Sequence, residues 1–362
     1  MAVYKVFLEK DAFIYSEIPT GSAGRDEILE IGSYPRAGVG QSKRTLIKYD
    51  STELHSIIDN YSDISSVSTE LQLNLAEASE VPTSYTIEGY PLAEAWIEGI
   101  GRYGSNPIDT SGVSWYKSDG ISNWSTLPIT GVEEYQNPSG QSGGGIWLSD
   151  NTLHVSQTHT VTSTHDVKLD ITPIVTAFYN DTIDNHGILL KLQDDLEFLA
   201  DRQFILKYFS TQTHTVYPPT INIKWDDSTY NSNLTEISDA DAVITVKGNK
   251  GEYVDTGKQR FRLNIRPRYP QRVFQTTSVY LDNFKLPEAS HWGIRDEHTE
   301  EMVIDFDTTY TKISADNTSS YFDIFMEGLQ PERYYRILVK TEIDGSTVVL
   351  DNNQVFKVIR NG

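Results

Sequence analysis

Apolar and polar residues alternate along most of this chain. Arg44-Thr45-Leu46-Ile47-Lys48-Tyr49 and Thr69-Glu70-Leu71-Gln72-Leu73-Asn74-Leu75 follow period two, the pattern of half-buried strands. So do Ile188-Leu189-Leu190-Lys191-Leu192, Phe204-Ile205-Leu206-Lys207-Tyr208 and Thr220-Ile221-Asn222-Ile223-Lys224-Trp225. Thr and Val crowd these runs, and Gly, Asn, Asp and Ser separate them. Further strands are predicted at Ala242-Val243-Ile244-Thr245-Val246, around Arg260-Phe261-Arg262-Leu263, and at Tyr321-Phe322-Asp323-Ile324-Phe325. Tyr335-Arg336-Ile337-Leu338-Val339-Lys340 and Val355-Phe356-Lys357-Val358-Ile359 complete the set. Helical signals are few. One short helix is expected from residues 50–58, capped by Asp50 or Ser51. Another is expected over 170–179, with Thr172 as cap and Pro173 in the first turn, where a missing N–H costs nothing.

Many short strands with few helices predict an all-β chain. Two long polar stretches, residues 105–131 and 136–145, interrupt the pattern, and stretches this long are usually functional or mobile. Trp96, Trp115, Trp124 and Trp147 lie in or beside them. Periodicity lapses near Asp226-Asp227-Ser228-Thr229. A boundary there gives an N-terminal β-sandwich or jelly roll over residues 1–226 and an Ig-like or fibronectin-III-like β-sandwich over residues 227–362.

At 362 residues, neither domain needs a disulfide staple, and there are no cysteines. That removes disulfides, thiol nucleophiles, Cys-zinc sites and iron–sulfur clusters. No apolar run reaches the 18 residues of a membrane span, and the amino terminus lacks a secretory signal pattern. Acids number 51 and bases 30, for a net charge of −21, which argues against nucleic acid and anionic membranes as partners. Charge is unevenly placed. Residues 51–101 hold nine acids and no Lys or Arg. Lys258, Arg260, Arg262, Arg266, Arg268 and Arg272 follow one another with no acid between them. Arg260 and Arg262 share one strand face, opposite Phe261 and Leu263. A row of Arg repels itself, so either an internal or subunit carboxylate surface faces it or the face is solvated.

Two catalytic patterns are missing: there is no phosphate-binding loop and no His-Glu-x-x-His. His154 and His159 fall on opposite strand faces; His159 and His165 share one, but two histidines make no metal site. Asp194-Asp195-Leu196-Glu197 and Asp226-Asp227 lack the ligand spacing of a calcium loop and read as turn carboxylates. Glu133-Glu134 are adjacent and point apart, unlike a glycosidase pair. No catalytic residue, metal or cofactor is expected. Exposed Trp96, Trp115, Trp124 and Trp147 would stack on sugar rings; buried, they would be packing residues.

Several segments, in order, resemble the DNRLRE-type jelly-roll domain, a relative of carbohydrate-binding modules. They are Asp11-Ala12-Phe13-Ile14-Tyr15, Leu29-Glu30-Ile31-Gly32, the stretch from Arg44 to Asp50, and Glu70-Leu71-Gln72-Leu73. Ala95-Trp96-Ile97-Glu98-Gly99, Val113-Ser114-Trp115, Leu169-Asp170-Ile171-Thr172-Pro173, Asn185-His186-Gly187-Ile188 and Ala200-Asp201-Arg202-Gln203 continue the series. Gly328-Leu329-Gln330-Pro331-Glu332-Arg333-Tyr334-Tyr335 resembles the tyrosine corner of fibronectin-III and Ig-like domains, with Tyr335 turned inward onto a backbone group. Together with Leu286-Pro287 and Trp292-Gly293-Ile294-Arg295-Asp296, it also looks like the C-terminal part of tailed-bacteriophage structural proteins.

The resemblances imply a non-enzymatic virion protein of a tail, baseplate, neck or fibre, assembled in the host cytoplasm and released by lysis. Its partners would be other virion proteins and its own copies, with Arg260, Arg262, Arg266, Arg268 and Arg272 as docking residues. The acid-rich stretch from Glu53 to Glu98 is a candidate complement on another subunit. A carbohydrate-binding adhesin or receptor-binding protein is the alternative, with a host surface glycan on the four tryptophans. A polysaccharide-degrading enzyme is the third reading.

Overall fold

The computed structural model describes residues 2–125, 143–149, 152–238, 241–269 and 283–361, and residues 132–133 by backbone alone. Strands hold 46% of the described residues and helix 9%, so the all-β expectation holds. The chain divides into an N-terminal unit, Val6–Asn222, and a C-terminal unit that joins Met1–Lys5 to Ile223–Gly362.

The first part of the chain forms β1 (Ala2–Tyr15), β2 (Ile28–Arg36), β3 (Val39–Tyr49), β4 (Ser68–Leu73), β5 (Leu75–Ser79), β6 (Ser84–Pro91), β7 (Val132–Glu133) and β8 (Trp147–Leu148). It continues with β9 (Val155–Thr160), β10 (Val167–Asp170), β11 (Ile188–Leu192), β12 (Phe204–Phe209) and β13 (Thr220–Trp225). Helices α1 (Ser51–Tyr61), α2 (Thr172–Tyr179) and α3 (Asp194–Glu197) lie between them. The main sheet runs β10-β4-β13-β1-β3-β11-β6-β9, with β2, β12 and β5 branching from β3.

Local chemistry sets the helix starts. The Asp50 side chain accepts from Thr52 N at 2.8 Å and begins α1, which buries Leu54, Ile57 and Ile58. In α2 the cap differs from the expected one. Ile171 occupies the cap position, and Thr172 is the first helical residue. Its hydroxyl donates to Asp170 Oδ1 at 2.6 Å and accepts from Thr69 N at 2.9 Å, so it makes no cap bond to its own helix; Pro173 sits in the first turn as expected.

Strand alternation divides β1 between two cores. Ala12 and Ile14 join a cluster with Leu46, Leu189 and the tryptophans, whereas Phe13 and Tyr15 pack with Ala23. The central strands depart from the half-buried expectation. All five residues of β11 are buried, as is the run from Ser42 to Ile47 in β3. A strand covered on both faces must bury its polar side chains too.

The C-terminal unit is built from β14 (Ala242–Lys247), β15 (Glu252–Val254), β16 (Lys258–Pro267), β17 (His291–Asp296), β18 (Met302–Ile304), β19 (Ser314–Ala315), β20 (Ser320–Phe325), β21 (Arg333–Ile343) and β22 (Ser346–Ile359). One sheet runs β14-β16-β20-β19 and the other β15-β22-β21-β17-β18. Ile244, Leu263 and Phe322 from the first meet Ile294, Tyr335, Ile337 and Phe356 from the second in one core. This is a β-sandwich. The Tyr335 hydroxyl donates to the Gln330 carbonyl at 2.9 Å, the contact expected of a tyrosine corner.

Candidate functional site

The tryptophans correct the glycan-stacking expectation. Trp96, Trp124 and Trp147 are each 3% exposed and Trp115 1%. A sugar-stacking platform needs an open ring face, and none of the four offers one. Their polar edges are turned inward as well: Trp96 Nε1 donates to the His186 carbonyl at 2.9 Å and Trp124 Nε1 to that of Ser114 at 3.1 Å.

Two of them enclose a charge. The Arg44 guanidinium, fully buried, lies 4.9 Å from the Trp115 ring and 5.0 Å from that of Trp147. It grips Glu197, also fully buried, through Nε–Oε1 at 2.5 Å and Nη2–Oε2 at 3.1 Å, and donates to the Gly144 carbonyl at 2.6 Å. Ser42 Oγ donates to Glu197 at 2.9 Å. Lys191 extends the network to Asp194 at 2.6 Å, Glu88 at 3.1 Å and Glu197 at 3.7 Å. Burial alone would lower the Lys191 ammonium; Glu197, Asp194 and Glu88 outweigh it and hold it above its usual range. Gly144 permits the closure. It has φ +91°, and a Cβ there would stand 2.6 Å from Arg44 Nη1 and 2.8 Å from the Trp115 ring. Asp194 and Glu197 thus answer buried cations. The network is a pin between strands and loops.

Other candidates resolve similarly. His159 is fully buried, stacked 4.8 Å from Tyr85, and its Nδ1 contacts the Thr164 carbonyl at 2.9 Å; burial lowers its pKa. His165 Nδ1 meets the Tyr85 hydroxyl at 2.8 Å, and His154 stacks on Tyr90 at 4.7 Å. No group of three potential metal ligands occurs among the described residues. Asp226 caps its turn by accepting from Ser228 N at 2.8 Å. Glu134 lies outside the described residues.

The arginine row forms a surface. On the outer face of the first C-terminal sheet, β16 presents Lys258, Arg260, Arg262, Asn264 and Arg266. Across the ladder, β14 adds Val243, Thr245 and Lys247, and β20 adds Tyr321 and Asp323. Arg260 forks onto Asp323 at 2.8 and 2.9 Å, and Lys258 reaches the same carboxylate at 3.3 Å. Arg262 meets Asp316 at 2.9 Å. Burial would raise Asp323, but Arg260 and Lys258 hold it below the usual carboxylate range; Arg262 holds Asp316 at about 2. Both guanidiniums lie over the Tyr321 ring, at 4.2 and 5.3 Å. Arg260 and Arg262 therefore meet carboxylates of their own unit, the internal option left open by the sequence. Lys247, Arg266 and Arg268 have no carboxylate partner among the described residues. Arg272 lies outside the described residues. Among the described residues, five bases, Lys247, Lys258, Arg260, Arg262 and Arg266, thus stand against Asp316 and Asp323. A cavity of about 420 Å³ opens on this face, lined by Thr245, Lys247, Asn264, Asn283, Thr318 and Ser319.

The base-free stretch does not form one acidic face. Glu77 pairs with Lys207 at 2.7 Å, Glu88 with Lys191, and Glu98 is half-buried beside Asp11 N. Its helical part remains open. Asp50, Asp59 and Asp63 are exposed, and so are Asp170, Asp181 and Asp184, which the sequence reading missed. The available signal was a second run without bases, residues 169–190. The two runs are stitched together: Tyr179 donates to Asp59, Asn185 Nδ2 to Ser51 Oγ at 2.7 Å, and the His55 and Tyr179 rings stand 4.9 Å apart.

No family model matches the chain, and no curated protein matches it. Among solved structures, a DUF4785 family protein from Legionella pneumophila aligns over 99% of this chain at 8% identity and a TM-score of 0.18. The chain spans 64% of that protein's length. Likeness at this level carries no argument about fold or function.

Proposed function

We propose that the chain is a non-enzymatic structural component of a tailed-bacteriophage virion, in the tail, baseplate, neck or a fibre. It works through protein–protein interfaces, with other virion proteins and its own copies as partners. The carrying observation is the cationic sheet face on a chain of net charge −21. Its guanidiniums are held in place by Asp323, Asp316 and Tyr321, so the charge is presented in a fixed arrangement. Pre-ordered side chains lose little entropy on docking. The buried Arg44–Glu197 pin supports the same reading, because it ties strand and loop positions of the N-terminal unit together.

The test is to band phage particles from a lysate of the source organism on a density gradient and quantify this chain by mass spectrometry. A constant copy number per particle is expected. A chain that stays in the soluble fraction while particles band without it overturns the proposal.

A further inference from the structure

The cationic face needs a partner of opposite charge, and the chain carries one. The N-terminal unit, Val6–Asn222, has 12 Lys and Arg against 29 Asp and Glu; the C-terminal unit has 18 against 22. The net charge of −21 therefore splits into −17 and −4. We propose that the outer face of β14, β16 and β20 docks onto the Asp-rich α1–α2 end of a second copy, in a head-to-tail contact. The choice of a second copy rests on the structural-component reading above.

Complementarity carries the assignment. On one side, Lys247, Arg266 and Arg268 lack carboxylate partners among the described residues, and the cavity that Lys247 lines has no acid among the described residues of its wall. Within it, the side chains of Thr245, Lys247, Asn264 and Thr318 have no hydrogen-bond partner among the described residues. Asn283 and Ser319 are already engaged, with Ile265 N at 2.8 Å and Arg262 Nη1 at 3.0 Å. The recess therefore offers an ammonium, an amide and two hydroxyls to an incoming carboxylate. On the other side, Asp50, Asp59, Asp63, Asp170, Asp181 and Asp184 are exposed on two runs of chain that contain no Lys or Arg. Asp50, Asp63 and Asp170 each use Oδ1 on a nearby backbone N–H, which fixes their carboxylates.

The two patches are different surfaces, so a head-to-tail contact is heterologous and a pair of copies keeps one free patch of each kind, the acidic end on one copy and the cationic face on the other. Such a contact yields a ring if its rotation closes and a filament if it does not. Salt acts in two directions. Two chains of like net charge repel at long range, and a Debye length of about 10 Å at about 0.1 M removes most of that while sparing contacts at a few ångströms. Association is therefore expected to be strongest near that ionic strength. It weakens at about 1 M, where the Debye length is about 3 Å.

Sedimentation velocity of the full chain, over a wide concentration range and at both salt levels, tests this. Two neutralising variants are compared: Lys247→Gln/Arg266→Gln/Arg268→Gln on the face, and Asp59→Asn/Asp184→Asn on the helical end. Unchanged melting temperatures show that both remain folded. The wild type is expected to grow with concentration, and each variant to associate about tenfold more weakly. Mixing the variants should restore a single contact and stop at a 1:1 dimer, because each keeps the patch that the other lacks. A wild type that is monomeric throughout, a face variant that assembles like the wild type, or a mixture without dimers overturns the inference. Incorporation into particles is measured separately, so a monomeric chain present in virions would overturn the self-docking alone.

Discussion

Replacing Glu197 by Gln tests the buried network directly. The substitution is nearly isosteric and removes one charge. Arg44 and Glu197 are both fully buried and share a bidentate contact, with Lys191 3.7 Å from the second carboxylate oxygen. A Gln retains one acceptor for Arg44 Nε, but its NH₂ then faces either Arg44 Nη2 or Lys191, donor against donor. Lys191 keeps Asp194 and Glu88, and Arg44 keeps the Gly144 carbonyl and two indole faces. Breaking a buried pair from one side typically costs about 3–5 kcal/mol, and the retained acceptor places Glu197→Gln near 3 kcal/mol. With a urea slope of about 3 kcal/mol/M for a unit of this size, the midpoint should fall by about 1 M. Tryptophan emission is the assay, because Trp115 and Trp147 flank Arg44 and report on its surroundings. The double variant Arg44→Met/Glu197→Leu should recover most of the loss, since both charges leave the interior together. A midpoint shift below about 0.3 M for Glu197→Gln, or a double variant as unstable as the sum of the singles, refutes the reasoning.

Asp11 makes stability depend on pH. Burial pushes its carboxyl up to about 7, against two hydrogen bonds from Thr211, at 2.7 Å from N and 3.0 Å from Oγ1. The folded chain then holds a proton that the unfolded chain has released, so this group's contribution falls as pH rises from about 4 to about 7. Asp11→Asn should flatten that part of a melting-temperature profile; an unchanged slope would remove Asp11 as its source. Gly144→Ala forces a Cβ onto Arg44 and Trp115 at a positive φ, and a loss of several kcal/mol is expected from the strain and displaced packing. Calorimetry should show it as an early transition, and a melt like the wild type's would mean that the loop yields. Tyr335→Phe removes the bond to the Gln330 carbonyl and should cost about 1–2 kcal/mol in chemical denaturation. No measurable cost would mean that water replaces the hydroxyl.

How far the chain could be read varies with the range of the interaction involved. The Asp50 cap, the Pro173 turn and the Tyr335 corner are set by residues a few positions apart, and the structure keeps all three. Thr172 shows how narrow the margin is. A hydroxyl beside a helix start looks like a cap, yet Asp170 and Thr69 claim it first. The tryptophans failed for a longer-range reason. Polar, glycine-rich surroundings read as an exposed loop, but that loop closes over Arg44, and glycines with positive φ let its backbone come close. The arginine row was visible as a row. Its partners were not, because Asp323 and Asp316 lie more than fifty residues away and meet it only through strand pairing.

The sequence by itself determined the strand-rich architecture, because a two-residue period can bury one side of a strand and not one side of a helix. It also determined the absence of disulfides and the uneven placement of charge. Tertiary structure decided which faces were covered. It buried Arg44 and Lys191 on strands where a polar residue would otherwise face water, and drew Trp115 and Trp147 over the guanidinium. It also brought two separate base-free segments together as an acidic end. Burial and charge pairing depend on distances in space, and a chain read in order gives only distances along itself.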